Sequence, residues 1–472
     1  MAQQLYFSRD SIMLLEIGST TWKIPVLEGF SFSQATNVSE VTLNEMESTA
    51  GVSRRGRRAF NDSLSPVEFS FGTYIRPFKA EGGTNYSAAG AGRADSQAYH
   101  HAVEEALWAL FSGPGQYSDS AFRFTENYDS TDYHQTTHDG TNLDIDFSQS
   151  NKSALGTPHG SSDSNANLYF TIGDAHKITY KLGKIALNEA SIDFDIDGVA
   201  SINWSGFADT ITQFSRATAV NDADVSNDAE FTLDSNEGIV AGQTVTDVAD
   251  TLTTGAYVVS VGTSNKVTLN AAQTLADDIV LTFGPPVTDI TEGTGRTDNF
   301  IRNRLTTLEI DPVDRDPGDT GSDVLEDDYT LTLTGGNITL ANNISYLTPE
   351  ELGVVNVPIG HVTGTRSFSG SFTCYLSDDT LNTTSSKDFF DDVTAIREVV
   401  SNSFKLVFSI GGGTEAGAVT PSLQLTCAKA HVDIPTHSIE DIITLETTFN
   451  ALPTSIDSTD EVTLKYYGPT AA

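Results

Sequence analysis

Four clusters in this chain carry residue types that could do chemistry. Asp193, Asp195 and Asp197, followed by Gly198, open like a calcium-binding loop, in which hard carboxylate oxygens wrap a divalent cation. Such a loop needs a bidentate Glu at its twelfth position, and that position is Trp204. The three aspartates also alternate with Ile192, Phe194 and Ile196. That is the two-residue period of a strand with carboxylates toward water and apolar side chains toward a core. His134 and His138, with Asp132 and Asp139, have ligand types suited to a transition metal. No helical pattern brings them to one side, so a solvated loop is the expectation. Gly411 to Gly417 approaches a dinucleotide fingerprint, but its third required glycine is Ala416; a flexible turn is expected. Arg54, Arg55, Arg57 and Arg58 lie close together in SRRGRR and could meet phosphate or a sulfated sugar. No phosphate-loop lysine, Gly-x-Ser-x-Gly elbow or Cys-x-x-Cys pair occurs. The sequence therefore predicts no catalytic, metal or cofactor-binding set, and not an enzyme.

The charge of the whole chain weighs on the arginine cluster. Its 472 residues hold 26 Lys and Arg against 64 Asp and Glu, a net charge of −38. A nucleic-acid binder needs clustered cations to displace counterions, so these arginines read better as contacts to acidic surface on the same or a neighbouring subunit. Disorder is excluded by 25 Phe and 15 Tyr, ample material for cores. Cys374 and Cys427 sit in strand-like runs and read as buried thiols of a reducing compartment. The N-terminal stretch lacks a basic start followed by an apolar run, and no apolar segment reaches membrane-spanning length. A soluble protein is expected.

The elements that must position these residues are mostly strands. Residues 5–17 read as a first strand. Phe30–Ser33 and Val67–Phe71 alternate apolar and polar side chains and bracket a long hairpin arm that contains the arginine cluster, with 41–66 expected to order only on contact. A connection that long is functional or disordered. Residues 97–111 carry apolar positions on one helical face and Gly113-Pro114 stops them. Strands resume at ANLYFTIG, KITYKLG and KIALNEASIDFDIDGVASINWSGFA. Between 218 and 286, short Thr- and Val-rich runs alternate with Gly, Asn and Asp turns, and ten acids face one Lys266; this reads as a small all-β module. The opening order then recurs. FIRNRLTTLEI echoes YFSRDSIMLLEI, NITLANNISYLT echoes the entry to the arm, RSFSGSFTCYL stands where SPVEFSFGTYI stood, and a second helix is expected at 387–400. The expected organisation is a first half at 1–217, an inserted module at 218–287 and a second half at 288–472, an internal duplication with a module spliced between the copies.

The runs SRRGRRAFNDSLSPVEFSF, NEASIDFDIDGVASINWSG, IRNRLTTLEI and ISYLTPEELGVVNVPIGHVTGTRSFSGSFTCYL resemble the tail tube proteins of long-tailed bacteriophages, in the form with a duplicated tube fold. The resemblance implies a mainly β fold with a few helices: two tandem β-sandwich or partial-barrel halves, each with a flanking helix. It implies a structural subunit of the virion tail, assembled in the host cytoplasm. Three chains would form a pseudo-sixfold ring, and rings would stack through hairpin arms into a conduit for DNA. Partners implied are the chain itself and tape measure, tail terminator or baseplate proteins, with DNA passing without specific binding and no membrane. Arg54, Arg55, Arg57 and Arg58 would make the inter-ring contact, and Asp193, Asp195 and Asp197 would face the lumen. The competing class is an acidic β-rich adhesin or surface-layer protein, against which the single duplicated host and the missing secretion signal argue.

Overall fold

The computed structural model describes residues 7–18, 20–42, 57–79, 100–112, 116–118, 123–128, 131–134, 136–138, 142–145, 147, 166–173, 178–222, 224–247, 251–288, 290–291, 299–312, 329–348, 350–351, 354–362, 364–378, 385–395, 403–411, 421–439, 441–456, 458 and 460–468. The fold is mainly β with two α-helices among these residues.

The first half contributes β1 (Ser11–Ile17), β2 (Thr20–Ile24), β3 (Ser31–Thr42), β4 (Arg57–Tyr74), β5 (Ala166–Ile172), β6 (Ile178–Gly183), β7 (Ala186–Asp195) and β8 (Ser201–Ala208). The second contributes β9 (Thr307–Pro312), β10 (Leu333–Ala341), β11 (Ser367–Tyr375), β12 (Phe404–Gly411), β13 (Ser422–Val432), β14 (Thr436–Ile439), β15 (Ile443–Ala451) and β16 (Thr463–Tyr467). The same pairings recur in both. A 3-10 turn leads into β1 and another into β9. β1 lies antiparallel to β5, and β9 to β12. β5 and β12 are followed by Gly173 and end at Gly411, both with left-handed φ, +100° and +107°, which glycine reaches without steric cost. β3 pairs β4 and β4 pairs β8; correspondingly β10 pairs β11 and β11 pairs β15.

One sheet runs through both halves and includes the order β16-β13-β15-β11-β10-β7-β8-β4-β3. The joint between halves is β7 against β10, with Ile192 opposite Ile338 and Phe194 opposite Gly336. A second layer packs on its apolar face. Phe170 of β5 stacks on Phe30 and Phe32 at 5.1 and 5.0 Å, and Phe408 of β12 meets Phe449 and Phe372 at 5.3 and 6.4 Å. Large and small side chains alternate across the facing strands, as a close-packed layer requires. Phe69 lies opposite Gly206, where an added Cβ would come within 2.7 Å of its ring. In the second half the sizes are exchanged: Gly370 lies opposite Phe449, with the corresponding approach at 2.8 Å.

The helices differ from their expected limits. α1 spans Glu105–Ser112 rather than beginning at residue 97. His100–Ala102 form a strand with Pro77–Lys79, and the Glu105 carboxylate accepts from the Ala102 N–H at 3.3 Å, closing the chain into the helix. α1 is buried on every side, with Trp108 4.8 Å from Trp204. It is a core element rather than a one-faced flanking helix. α2 spans Ser386–Ala395 and keeps the expected single face, Phe389 and Val393 buried and Lys387 and Asp391 exposed; Ile396 and Val400 lie outside the described residues. The polar stretch around 116–145 contains five short strands among its described residues. Their apolar content is low, and pairing with neighbours rather than periodicity makes them strands.

Residues 216–286 form two three-stranded sheets around a hydrophobic cluster of their own, including Val220, Phe231, Val258, Leu269 and Phe283. The Thr- and Val-rich runs EFTLD, TVTDV, YVVSVG, KVTLN and IVLTFG all contribute to strands.

Candidate assembly surfaces

The sheet common to both halves exposes one face. Along the β3-to-β15 path the outward positions include Ser31, Ser33, Glu68, Ser70, Asn203, Ser191, Asp193, Asn337, Thr339, Ser369, Ser371, Thr448 and Glu446. Among the described residues of these seven strands, no Lys or Arg points this way between β15 and the base of the arm. The inward positions are Phe69, Phe71, Ile202, Trp204, Ile192, Phe194, Ile338, Leu340, Phe368, Phe372, Leu445 and Phe449, all buried. Period-two patterning therefore separates a packed face from a hydroxyl-, amide- and carboxylate-bearing one.

Asp193 lies in the middle of that exposed face, accepting from Asn203 Nδ2 at 3.4 Å. Asp195 ends β7, and its Oδ1 accepts the Gly198 N–H at 2.6 Å. This turn carries the chain off the sheet, so Ile196 is 43% exposed instead of continuing the buried row with Ile192 and Phe194. Asp197 belongs to the turn, at the end of the sheet. The alternation in the sequence is regular to Ile196; only the carboxylate-to-backbone bond of Asp195 breaks it. Among the described residues no three His, Cys, Asp or Glu gather as a metal site. His134 and His138 fall in the short strands Thr131–His134 and Thr136–His138 rather than in a loop.

Two strand edges of this sheet are open among the described residues: there β3 pairs only β4, and β14, which follows β13 along the edge of β15, pairs only β15. Each has a counterpart inside the chain. β3 stands to β4 as β10 stands to β11, and Thr436–Ile439 stand to β15 as Ser191–Phe194 stand to β8: Ile192 faces Ile202, and His437 faces Leu445. At the internal joint Phe194 is 4% exposed because β10 covers it. Ile439, its counterpart, is 78% exposed and Ile434 is 59% exposed.

The arms leave from one end of the sheet. β3 and β4 extend beyond the body as a ribbon, with Arg57 bonded to Glu40 at 3.1 Å and Val38, Val41 and Phe60 about half exposed. Arg58 is exposed on it; Arg54 and Arg55 lie outside the described residues. The second-half segment Ser345–Val362 leaves from the same end. It runs beside the first ribbon through Leu64 N–H to Asn356 O at 2.8 Å and Asn356 N–H to Asp62 O at 3.0 Å. Arg57 and Arg58 are thus on the arm end of the sheet, and Asp195 and Asp197 at the end opposite.

Where the C-terminal strand β16 docks on α1, polar groups are buried together. Burial pushes the Glu104 carboxyl up to about 7, against the opposing pull of the Arg76 N–H and charge and a Tyr466 hydrogen bond. Trp108 Nε1 donates to the Tyr466 hydroxyl, and His101 Nδ1 lies 3.0 Å from Glu105 Oε2. Periodicity could not reveal this cluster, because its members come from distant segments. Cys374 and Cys427 are buried free thiols, the former pushed up to about 12 by desolvation. Among the described residues no helix is long and apolar enough to cross a membrane.

No family model matches the chain. It is similar to the tail tube protein pb6 of Escherichia phage T5, 24% identical over 445 residues that cover 94% of this chain and 70% of that protein. With its β-rich fold and the motifs of its sequence, the chain is a relative of the phage tail tube proteins.

Proposed function

We propose that the protein is the structural subunit of a phage tail tube, resident in the virion tail, and that its two halves are copies joined head to tail. Supporting this is the internal joint: β7 of the first half is sealed by β10 of the second, while β14 and β3, their counterparts, are left open. Repeating the same joint between chains seals β14 of one chain with β3 of the next. Counterpart positions set the register, with Thr436 opposite Ser33, His437 opposite Phe32 and Ile439 opposite Phe30. Inside the chain Phe194 faces Gly336; between chains Ile439 would face Phe30, so an apolar side chain stands on each side of the joint. Closure removes open edges, which are otherwise an association liability.

Three chains would complete a pseudo-sixfold ring with the cation-free face lining a channel. Asp193 would point into the channel, and Asp195 and Asp197 would lie at its rim. Carboxylates there repel phosphate over about 8–10 Å at physiological salt, so DNA passes without binding. The arm carrying Arg54, Arg55, Arg57 and Arg58 would contact the neighbouring ring, and the module at 218–287 would face outward. Tape measure, terminator or baseplate proteins would meet the two ends of the tube, and assembly would take place in the host cytoplasm. Electron microscopy of the purified chain tests the proposal: hollow tubes of stacked rings are expected, and compact particles that never polymerise would overturn it.

A further inference from the structure

The turn after β7 sets Asp197 directly before Gly198, one of two Asp-Gly steps in the sequence. Such a pair carries a chemistry of its own. The Gly198 nitrogen can attack Cγ of Asp197, losing its proton as the carboxyl loses hydroxide; water leaves and a five-membered succinimide closes. Water then adds to either ring carbonyl. Opening at the side-chain carbonyl restores aspartate. Opening at the main-chain carbonyl leaves isoaspartate, with the backbone routed through Cβ and Cγ and no change of mass. A glycine after the aspartate favours the attack, because it brings no side chain to obstruct it.

The fold imposes this glycine. An added Cβ would lie 2.5 Å from Asp195 Oδ1 and 2.8 Å from Asn303 Nδ2, so no larger residue fits. Asp197 itself is exposed to the water that the reaction uses. The same neighbours hold the glycine on both sides. Its N–H donates to Asp195 Oδ1 at 2.6 Å, and its carbonyl accepts from the Asn303 N–H at 3.1 Å. Val199 and Arg302 form an antiparallel bridge beside it, and the Ala200 N–H donates to Ile301 O at 2.9 Å. Ala200, Ile301 and Asn303 are all buried. Removing the Gly198 proton breaks the bond to Asp195. Turning the nitrogen onto Asp197 Cγ pulls against the tie of residues 198–200 to 301–303.

We propose that Asp197 is a site of isoaspartate formation, and that the clamp of Asp195 and Asn303 on Gly198 suppresses the reaction in the folded chain. A hydrogen bond to a charged acceptor and a nitrogen held out of line each slow such an attack, by about tenfold or more. The clamp joins the end of β7 to the 3-10 turn that leads into β9. Isoaspartate at 197 therefore records the opening of a contact between the two halves. Once formed, the longer backbone would shift residues 198–200 against 301–303 and keep the clamp from closing again.

The test holds the full chain at neutral pH and body temperature for several weeks, beside a peptide of residues 192–200 that has the Asp-Gly step without Asn303. Peptide mapping with electron-based fragmentation separates isoaspartate from aspartate at 197. The parent is expected to isomerise at least about tenfold more slowly than the peptide. Asp195→Ala should approach the peptide's rate, and Asp195→Asn, which keeps a neutral acceptor, should lie between. Asp197→Glu should be silent, because its longer side chain would need a six-membered ring. Fluorescence of the buried Trp108 and Trp204 checks that each variant is folded. Where Asp195→Ala does not fold, Asp195→Asn against the parent and the peptide decides. A parent as fast as the peptide, or folded Asp195 variants no faster than the parent, would overturn the proposal.

Discussion

Replacing Ile439 by Ala separates the proposed ring joint from ordinary core packing. The side chain is 78% exposed in the single chain, whereas Phe194, at the corresponding place in the internal joint, is 4% exposed. Truncating Phe194 should therefore cost the isolated chain about 3–5 kcal/mol, as for a buried Phe. Truncating Ile439 should cost it under about 0.5 kcal/mol, since exposed sites lie within that range. In a ring the situation reverses. Fully burying an Ile contributes about 1.5–3 kcal/mol, and most of its surface is still open, leaving about 1–2 kcal/mol to be gained at each joint. Three joints and two association steps, at about 1.4 kcal/mol per tenfold, raise the half-assembly concentration roughly thirtyfold. Chemical denaturation at a dilution where chains are single measures the first quantity. Sedimentation across a concentration series measures the second. An Ile439→Ala chain that unfolds as readily as a core variant, or that assembles at the parental concentration, would refute the assignment of this edge.

Three further outcomes are expected. Glu104 has its folded pKa raised from 4.5 to about 7, so its contribution to stability is greatest below the unfolded value and falls as pH rises through the folded one. That amounts to about 3 kcal/mol lost between roughly pH 4.5 and 7; Glu104→Gln should lack this slope, so that the parent's stability minus the variant's falls with pH across that range, and a flat difference would contradict the buried carboxyl. Deleting 218–286, whose hydrophobic cluster is its own, and joining the ends with a Gly/Ser linker should leave tubes that lack only their outer decoration in micrographs; loss of tubes would place the module in the wall. Substituting Asp193, Asp195 and Asp197 by Lys should leave tubes intact but slow genome ejection from particles, because cations lining or rimming the channel would hold passing phosphates; unchanged kinetics would move these residues off the channel.

The sequence made much of this visible because strand pairs repeat with their side-chain period. The apolar-in, polar-out alternation of Val67–Phe71 and Ile192–Asp195 is the pattern that the sheet displays, and the echo of NITLANNISYLT with the arm entry marks the strands that occupy corresponding places. What stayed hidden depends on contacts between distant segments. His100–Ala102 read as helix because His and Ala carry no strand signal; pairing with Pro77–Lys79 decides them. Ile196 read as buried because nothing in its neighbourhood says that Asp195 bonds back to Gly198. The complete burial of α1 depends on Tyr466 and Phe147 covering the face that periodicity leaves polar. The open edges could not be seen at all, since a strand's sequence does not say whether its second neighbour belongs to the same chain.

The most direct measurement introduces one cysteine on each open edge, Ser33→Cys and Thr436→Cys, in the same chain. These positions are the counterparts of Thr339 and Ser191, which face each other across the internal joint, a separation that a disulfide spans. The native Cys374 and Cys427 are buried and should stay silent under mild oxidation with diamide. Non-reducing electrophoresis should show covalent species that stop at three chains, with each single variant remaining one chain long. No cross-link, or a ladder that climbs past three, would contradict a ring of three chains closed by repeating the internal joint.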